Sequence, residues 1–366
     1  MDYAILFSVV IVIVIVVALL IVLRASGSPS KIIPAIISVV VVVLLVSVVV
    51  PFTDDAVNIP STMKYDDYYD AGGASSASGS IELWEDGNGK KWIHACDVGA
   101  GSYIINGTTY EVTVDKAPLA VVLSLGQSNG AYRLKTAEPS AADPIAPLGT
   151  CYYFGDNQRP VNYGRYNENY DYDMYSMTTK YGAAKIGDFD EPFAAEYYKL
   201  SGVKTYVINA CVEGTSIASW VAGEYCYEYA QTIFSLGLAA IDLEHFEPVS
   251  YVTLWDQGEG DGNTAIATYK TELYSIYEDL KDGDFNSAVQ IDTMLIVKTR
   301  SIYTNSSTAQ IELASETPGI YIATKIMDTF TVSNGMMNAD NVHYSQLGDN
   351  VLGVAVADFY YKELII

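Results

Sequence analysis

The sequence predicts an α/β protein: a three-layer α/β/α domain on a parallel sheet, preceded by two transmembrane helices and a small β unit. Three observations carry this expectation. From residue 118 onward, apolar runs suited to buried strands alternate with helical patterns. Near the start, two uncharged apolar runs lie close together. Between the two regions stand two hairpin signals, each a pair of alternating segments around a Gly-containing turn.

The runs at 4–23 and 32–50 are apolar on every face, so neither reads as an amphipathic helix. At about 1.5 Å per residue, each is long enough to cross a hydrocarbon layer of about 30 Å. The link at 24–31 holds the positive charge nearby. It is therefore expected on the cytoplasmic side of a cell membrane, with residues 52–366 outside. Two alternatives stand beside this reading: a cleaved signal peptide over the first run, and a bundling device that gathers a homo-oligomer.

Residues 1–51 are thus expected as a membrane hairpin. Residues 52–80 read as a tether, because their Pro, Gly, Ala and Ser content offers little to bury. Residues 81–117 form the small β unit, with turns at 86–89 and at Asn106-Gly107. An isolated hairpin is marginal in water, so this unit is expected to pack on the domain at 118–366. There, strands are predicted at 119–125, 204–209, 249–255, 292–298 and 319–323, and helices at 191–200, 216–241, 264–281, 307–315 and 345–363. Parallel sheets of this kind bind ligands beyond the carboxyl ends of their strands, where Ser128, Gly214 and Gln257 fall.

Composition narrows the function. Half of the residues are hydrophobic, enough for a core, which excludes global disorder. A net charge of −24 argues against nucleic acid and anionic lipid headgroups as partners. No P-loop or dinucleotide fingerprint is present, and three scattered histidines with four cysteines make no zinc pattern, so neither cofactor nor metal is expected. Cys96, Cys151, Cys211 and Cys226 allow disulfides, Cys211 with Cys226 among the pairings, or remain buried free thiols. The tyrosine-rich stretch at 152–181 suits sugar stacking, subunit contact or plain packing on the sheet.

The chemistry rests on four strings. Gly126-Gln-Ser-Asn129 places a serine on the turn that leaves an apolar strand, and Asp340-Asn-Val-His343 supplies a carboxylate and an imidazole. A serine hydroxyl is a poor nucleophile until a histidine takes its proton and a carboxylate fixes that histidine's tautomer. Of the other histidines, His94 lies in an alternating strand and His245 near a helix end that would favour its charge. Ala210-Cys-Val-Glu-Gly-Thr-Ser-Ile217 with Trp220, and Trp255-Asp-Gln-Gly-Glu-Gly-Asp261, each follow a predicted strand.

In this order the strings resemble the SGNH-hydrolase superfamily, in its branch of sialate O-acetylesterases and acetylxylan-type carbohydrate esterases, over residues 118–363. The resemblance implies a flavodoxin-like hydrolase fold that removes acetyl groups from carbohydrate. It assigns Ser128 as nucleophile, His343 as general base and Asp340 as the carboxylate that orients it. It builds the oxyanion hole from the backbone N–H groups of Ser128 and Gly214 and the side-chain amide of Gln257. Glu259 is expected to hold the Ser128 loop through backbone N–H groups, with Gln127 and Asn129 hydrogen-bonding around the turn. Glu213 stands where that branch often has glycine, beside the expected oxyanion hole. An acyltransferase with the same residues, or a surface structural or adhesive protein on a hydrolase-like fold, is the alternative.

Overall fold

The computed structural model describes residues 59–131, 133–134, 147–156, 159–160, 172–177 and 186–366. The first strands are β1 (Thr62–Lys64), β2 (Tyr68–Asp70), β3 (Ala74–Gly79), β4 (Ile81–Glu85), β5 (Lys91–Ala95), β6 (Gly99–Ile105) and β7 (Thr108–Asp115). They form two small sheets, ordered β1-β7-β6-β3 and β2-β5-β4. Hairpins β4–β5 and β6–β7 close at the predicted turns. The second turns on Asn106 and Gly107, whose φ of 52° and 79° are the positive pair that a tight two-residue hairpin needs. The segment expected as a tether is described from residue 59 and carries β1–β3. Its Ser- and Ala-rich chain has little side chain to bury, but pairing with β6 satisfies its backbone.

The chain then enters the main sheet through β8 (Ala117–Gly126). The remaining strands are β9 (Arg133–Leu134), β10 (Cys151–Asp156), β11 (Arg159–Pro160), β12 (Asp173–Ser176), β13 (Ile186–Gly187), β14 (Lys204–Asn209), β15 (Phe246–Asp256), β16 (Met294–Val297) and β17 (Ile320–Thr324). The helices are α1 (Asp190–Ser201), α2 (Tyr225–Ala239), α3 (Ile266–Asp282), α4 (Thr304–Glu316) and α5 (Gln346–Tyr360). Sheet order is β11-β10-β14-β8-β15-β16-β17, with β12 beside β10, and β9 pairs separately with β13. Every pairing from β10 across to β17 is parallel. The strands predicted from sequence lie as second, first, third, fourth, fifth, the flavodoxin-like order. Strand β10, from the tyrosine-rich stretch, extends the edge beyond them.

Alternation along β8 sorts the core into two layers. Leu119, Val121, Leu123 and Leu125 face the side holding Ile233 and Phe234 of α2, Leu273 and Ile276 of α3 and Leu313 of α4. Ala120 and Val122 face Phe193 of α1 and Leu352 and Val356 of α5. A strand covered on both faces must be apolar at every position, which is why this run shows no polar alternation.

The two transmembrane helices expected ahead of the domain are corrected. Among the described residues no helix is long and apolar enough to cross a membrane. The helices seen are built for a sheet surface instead: α3 buries Tyr269, Leu273, Ile276, Tyr277 and Leu280 along one stripe and leaves its other face to water. The apolar runs 4–23 and 32–50 lie outside the described residues.

Residues 60–70 and 74–366 make one compact unit, so the β strands ahead of β8 belong with the α/β domain. Polar contacts join them. Lys204 of β14, 2% exposed, donates its Nζ to Asp67 Oδ1 at 2.9 Å and also to Gly149 O. The Tyr152 hydroxyl of β10 donates to Asp66. His245 reaches Asp97 Oδ1 at 3.0 Å and stacks on Tyr65 at 4.2 Å between ring centres.

Candidate active site

Strand β8 lies between β14 and β15, so the connections after it and after β14 leave toward opposite edges of the sheet. Such a switch point opens a crevice at the carboxyl ends. Gly126 ends the strand at φ 149°, and a β-carbon there would sit 2.1 Å from Asp256 O, so no other residue fits. The turn is fixed by backbone bonds from Gln127 N to Asp256 O, 2.9 Å, and from Gly130 N to Gln127 O, 3.0 Å. Gln127 and Asn129 are buried, while Ser128 between them is partly exposed.

The opposing turn precedes α5. Asp340 Oδ1 accepts from the N–H groups of Val342 at 2.9 Å and His343 at 3.0 Å, and Asn341 takes the left-handed conformation at φ 54°. Asn tolerates that region better than most residues. Asp340 Oδ2 lies 2.7 Å from His343 Nδ1, and His343 Nε2 lies 3.0 Å from Ser128 Oγ. A carboxylate can only accept, so Nδ1 carries the hydrogen and Nε2 is free to receive one from Ser128. Partial burial opposes ionisation of Asp340. The bonds from the His343 ring and the two N–H groups outweigh it and bring the carboxyl down to about 2.

Asn129 ties the two turns together. Its Nδ2 donates to Glu259 Oε1 at 2.7 Å and to Val342 O at 3.3 Å, and its Oδ1 accepts from Tyr344 N at 3.2 Å. Gln127 Nε2 also donates to Glu259. Glu259 thus holds the Ser128 turn through two side-chain amides, where backbone N–H groups were expected. Burial raises its carboxyl above the ordinary glutamate range, against the pull of those amides.

The expected oxyanion donors divide. Gly214 lies in the loop after β14, exposed, at φ 72°. That loop meets the others: a β-carbon on Gly260 would lie 3.0 Å from Thr215 O and 3.5 Å from Gln127 Oε1. Glu213 is exposed. Gln257 departs from expectation. It is completely buried, its Nε2 donates to Asp261 Oδ2 and to Thr215 O, and its Oε1 accepts from Tyr269 at 2.9 Å. Both amide hydrogens are spent inside the protein, so in this arrangement Gln257 braces the Gly214 loop rather than facing an ester oxygen. Asp261 completes the brace by accepting from Ile217 N at 2.8 Å.

Residues 118–362 match the family described as carbohydrate esterase, sialic acid-specific acetylesterase. The chain belongs to this family. It is a carboxylic ester hydrolase of the carbohydrate acetylesterase type. Solved structures similar to it include a protein from Arabidopsis thaliana, at 14% identity and TM-score 0.46, covering 67% of this chain and 98% of that one. A carbohydrate acetylesterase from Xanthomonas citri shows 14% identity and TM-score 0.43, over 82% and 72% of the two chains. NanS shows 13% identity and TM-score 0.44, over 67% and 98%. No curated protein matches.

In this esterase the spacing of Asp340 and His343 is not unique. Asp242 and His245 repeat it, with Nδ1 at 2.6 Å from Asp242 Oδ2. What separates the two is the other nitrogen, which meets the Ser128 hydroxyl in one case and the Asp97 carboxylate in the other. His94 is likewise held between Glu82 at 2.9 Å and Asp66 at 2.8 Å. Cys96, Cys151, Cys211 and Cys226 are all free thiols, so the Cys211–Cys226 pairing is absent. Among the described residues no cluster of His, Cys, Asp and Glu is arranged to hold a metal ion. Sequence reasoning missed Tyr269, Gln310 and Arg300. The first two lie on α3 and α4: Gln310 donates to Gln257 O at 2.7 Å, and the single Tyr269 hydroxyl hydrogen is within reach of both Gln257 O and Oε1, at 2.8 and 2.9 Å. Polar residues inside an otherwise apolar helix stripe are the signal that was available.

Proposed function

We propose that this esterase removes small acyl groups, acetyl foremost, from carbohydrate through an acyl-serine intermediate, with Ser128 as nucleophile, His343 as general base and Asp340 as its orienting carboxylate. The carrying observation is the line from Ser128 Oγ through the His343 ring to Asp340, 3.0 and 2.7 Å long in its two hydrogen bonds. Ser128 Oγ attacks the ester carbonyl carbon as its proton passes to His343 Nε2. The bond to the sugar oxygen then breaks, and His343 returns the proton to that oxygen. Water adds to the acyl carbon with its proton taken by His343, Ser128 Oγ leaves and is reprotonated, and the free acid departs. No cofactor enters these steps.

Charge that develops on the carbonyl oxygen needs donors already in place. In the arrangement described here, the reading assigns that work to the backbone N–H groups of Ser128 and Gly214. Gln257 would join them only after leaving Asp261 and Thr215. Family membership supports an acetylated sugar as substrate.

The test is hydrolysis of p-nitrophenyl acetate and of acetylated sugars by the purified protein. Ser128→Ala is expected to lower kcat by about 10³-fold or more and to abolish labelling by a fluorophosphonate probe. A Ser128→Ala variant as active as the wild type ends the assignment.

A further inference from the structure

Arg300 lies in the loop that leaves β16, at the same end of the sheet as Ser128. It is 8% exposed and has no carboxylate partner among the described residues. Burying a guanidinium costs free energy unless its hydrogens find partners. Its Nη1 donates to Asn341 O at 2.8 Å. Asn341 is the left-handed residue at the centre of the Asp340–His343 turn.

From Asn341 to His343 each backbone group of that turn has a partner. Asn341 N donates to Asn338 O at 2.9 Å, and Asp340 takes the N–H groups of Val342 and His343. Val342 O accepts from Asn129, and His343 O from Asn338 N at 2.8 Å. Asn341 O falls to Arg300, the charged donor in the set, and charge-assisted bonds are the stronger kind. Arg300 is itself held firmly. Tyr303 N donates to its carbonyl at 2.9 Å, and the next residue, Ser301, donates its N–H to Asp328 at 2.6 Å.

We propose that Arg300 is a positioning residue that fixes the Asp340–His343 turn, so that the imidazole meets the Ser128 hydroxyl. This rests on the serine mechanism proposed above. Two elements then brace the turn: Asn129 from the nucleophile turn, through Val342 and Tyr344, and Arg300 from the β16 loop, through Asn341.

The test uses the neutral ester p-nitrophenyl acetate, so that no anionic substrate can dock on the guanidinium. Arg300→Ala is expected to lower kcat about 10–100-fold, the scale of a misplaced catalytic group, with KM changed by no more than about twofold. Fluorophosphonate labelling of Ser128 should slow in parallel. Arg300→Lys should fall between the two, and it carries the test if Arg300→Ala does not fold. Millimolar guanidinium should partly restore Arg300→Ala where sodium chloride at equal ionic strength does not. Folded variants with wild-type kcat overturn the proposal. So does a rise in KM at unchanged kcat, which would make Arg300 a substrate contact. If the wild type neither turns over nor labels at Ser128, the serine mechanism itself has failed, and that is visible before any Arg300 variant is measured.

Discussion

Asp340 shows how one carboxylate does two jobs. One oxygen shapes the turn through two N–H groups and the other orients the ring. Its pKa is lowered, so the stability it adds is present above the ordinary aspartate range and is lost as pH falls through about 2. Asp340→Asn keeps an oxygen for the turn but presents the wrong partner to His343 Nδ1. It should lower the melting temperature by a few degrees while kcat drops by about 10⁴-fold; steady-state kinetics beside thermal denaturation checks both halves. Gln257→Ala should chiefly weaken the fold, by about 1–3 kcal/mol, because it strips Tyr269 and Asp261 of buried partners. Urea denaturation reads this, and a stability identical to wild type would return Gln257 to the oxyanion hole. Ser128, His343 and Asp340 were legible through the order of four short strings and the resemblance it carries, because D-x-x-H spacing alone also fits Asp242 and His245. The orientation of Gln257 was not, since it is set by Tyr269 and Asp261 from other elements.

At the level of elements, the tightest constraint is where β8 turns against β15. Gly126→Ala places a β-carbon on Asp256 O in a backbone region that side chains rarely adopt. It should yield insoluble protein or a melting temperature lowered by many degrees, whereas Gly214→Ala, with open space around its β-carbon, should fold and lose only the roughly 1–2 kcal/mol of a side chain at a left-handed φ. Comparing soluble yield and thermal midpoints of the two variants decides it. The strands of the main sheet were readable where both faces are buried, since continuous apolar runs leave little choice. Strand β10 escaped because its core residues Tyr152 and Tyr153 look polar in sequence, yet their rings are buried at 5% and 0% exposure. Strands β1–β3 escaped for the opposite reason: their stability comes from backbone pairing, which side-chain pattern does not record.

Across the whole molecule, two histidines stand where the strands at 62–115 meet the α/β domain: His245 bridges directly to Asp97, and His94 holds Asp66, which also accepts from Tyr152. Burial lowers the pKa of His94 and of His245, but their carboxylate pairs, Asp66 with Glu82 and Asp242 with Asp97, outweigh it and raise both. A raised histidine contributes stability that is fully present below the unfolded value and is lost as pH climbs through the folded one. Thermal midpoints should therefore fall as pH rises above the ordinary histidine range, and the slope should flatten in His245→Gln. A midpoint independent of pH above that range would show that these rings carry no net stabilisation. The distance between nucleophile and base along the polypeptide has its own outcome: 215 positions separate Ser128 from His343. A nascent chain therefore carries an unreactive serine until the 340–343 turn has been translated. Premature termination upstream of 340 leaves a product that displays the alcohol and has nothing to deprotonate it.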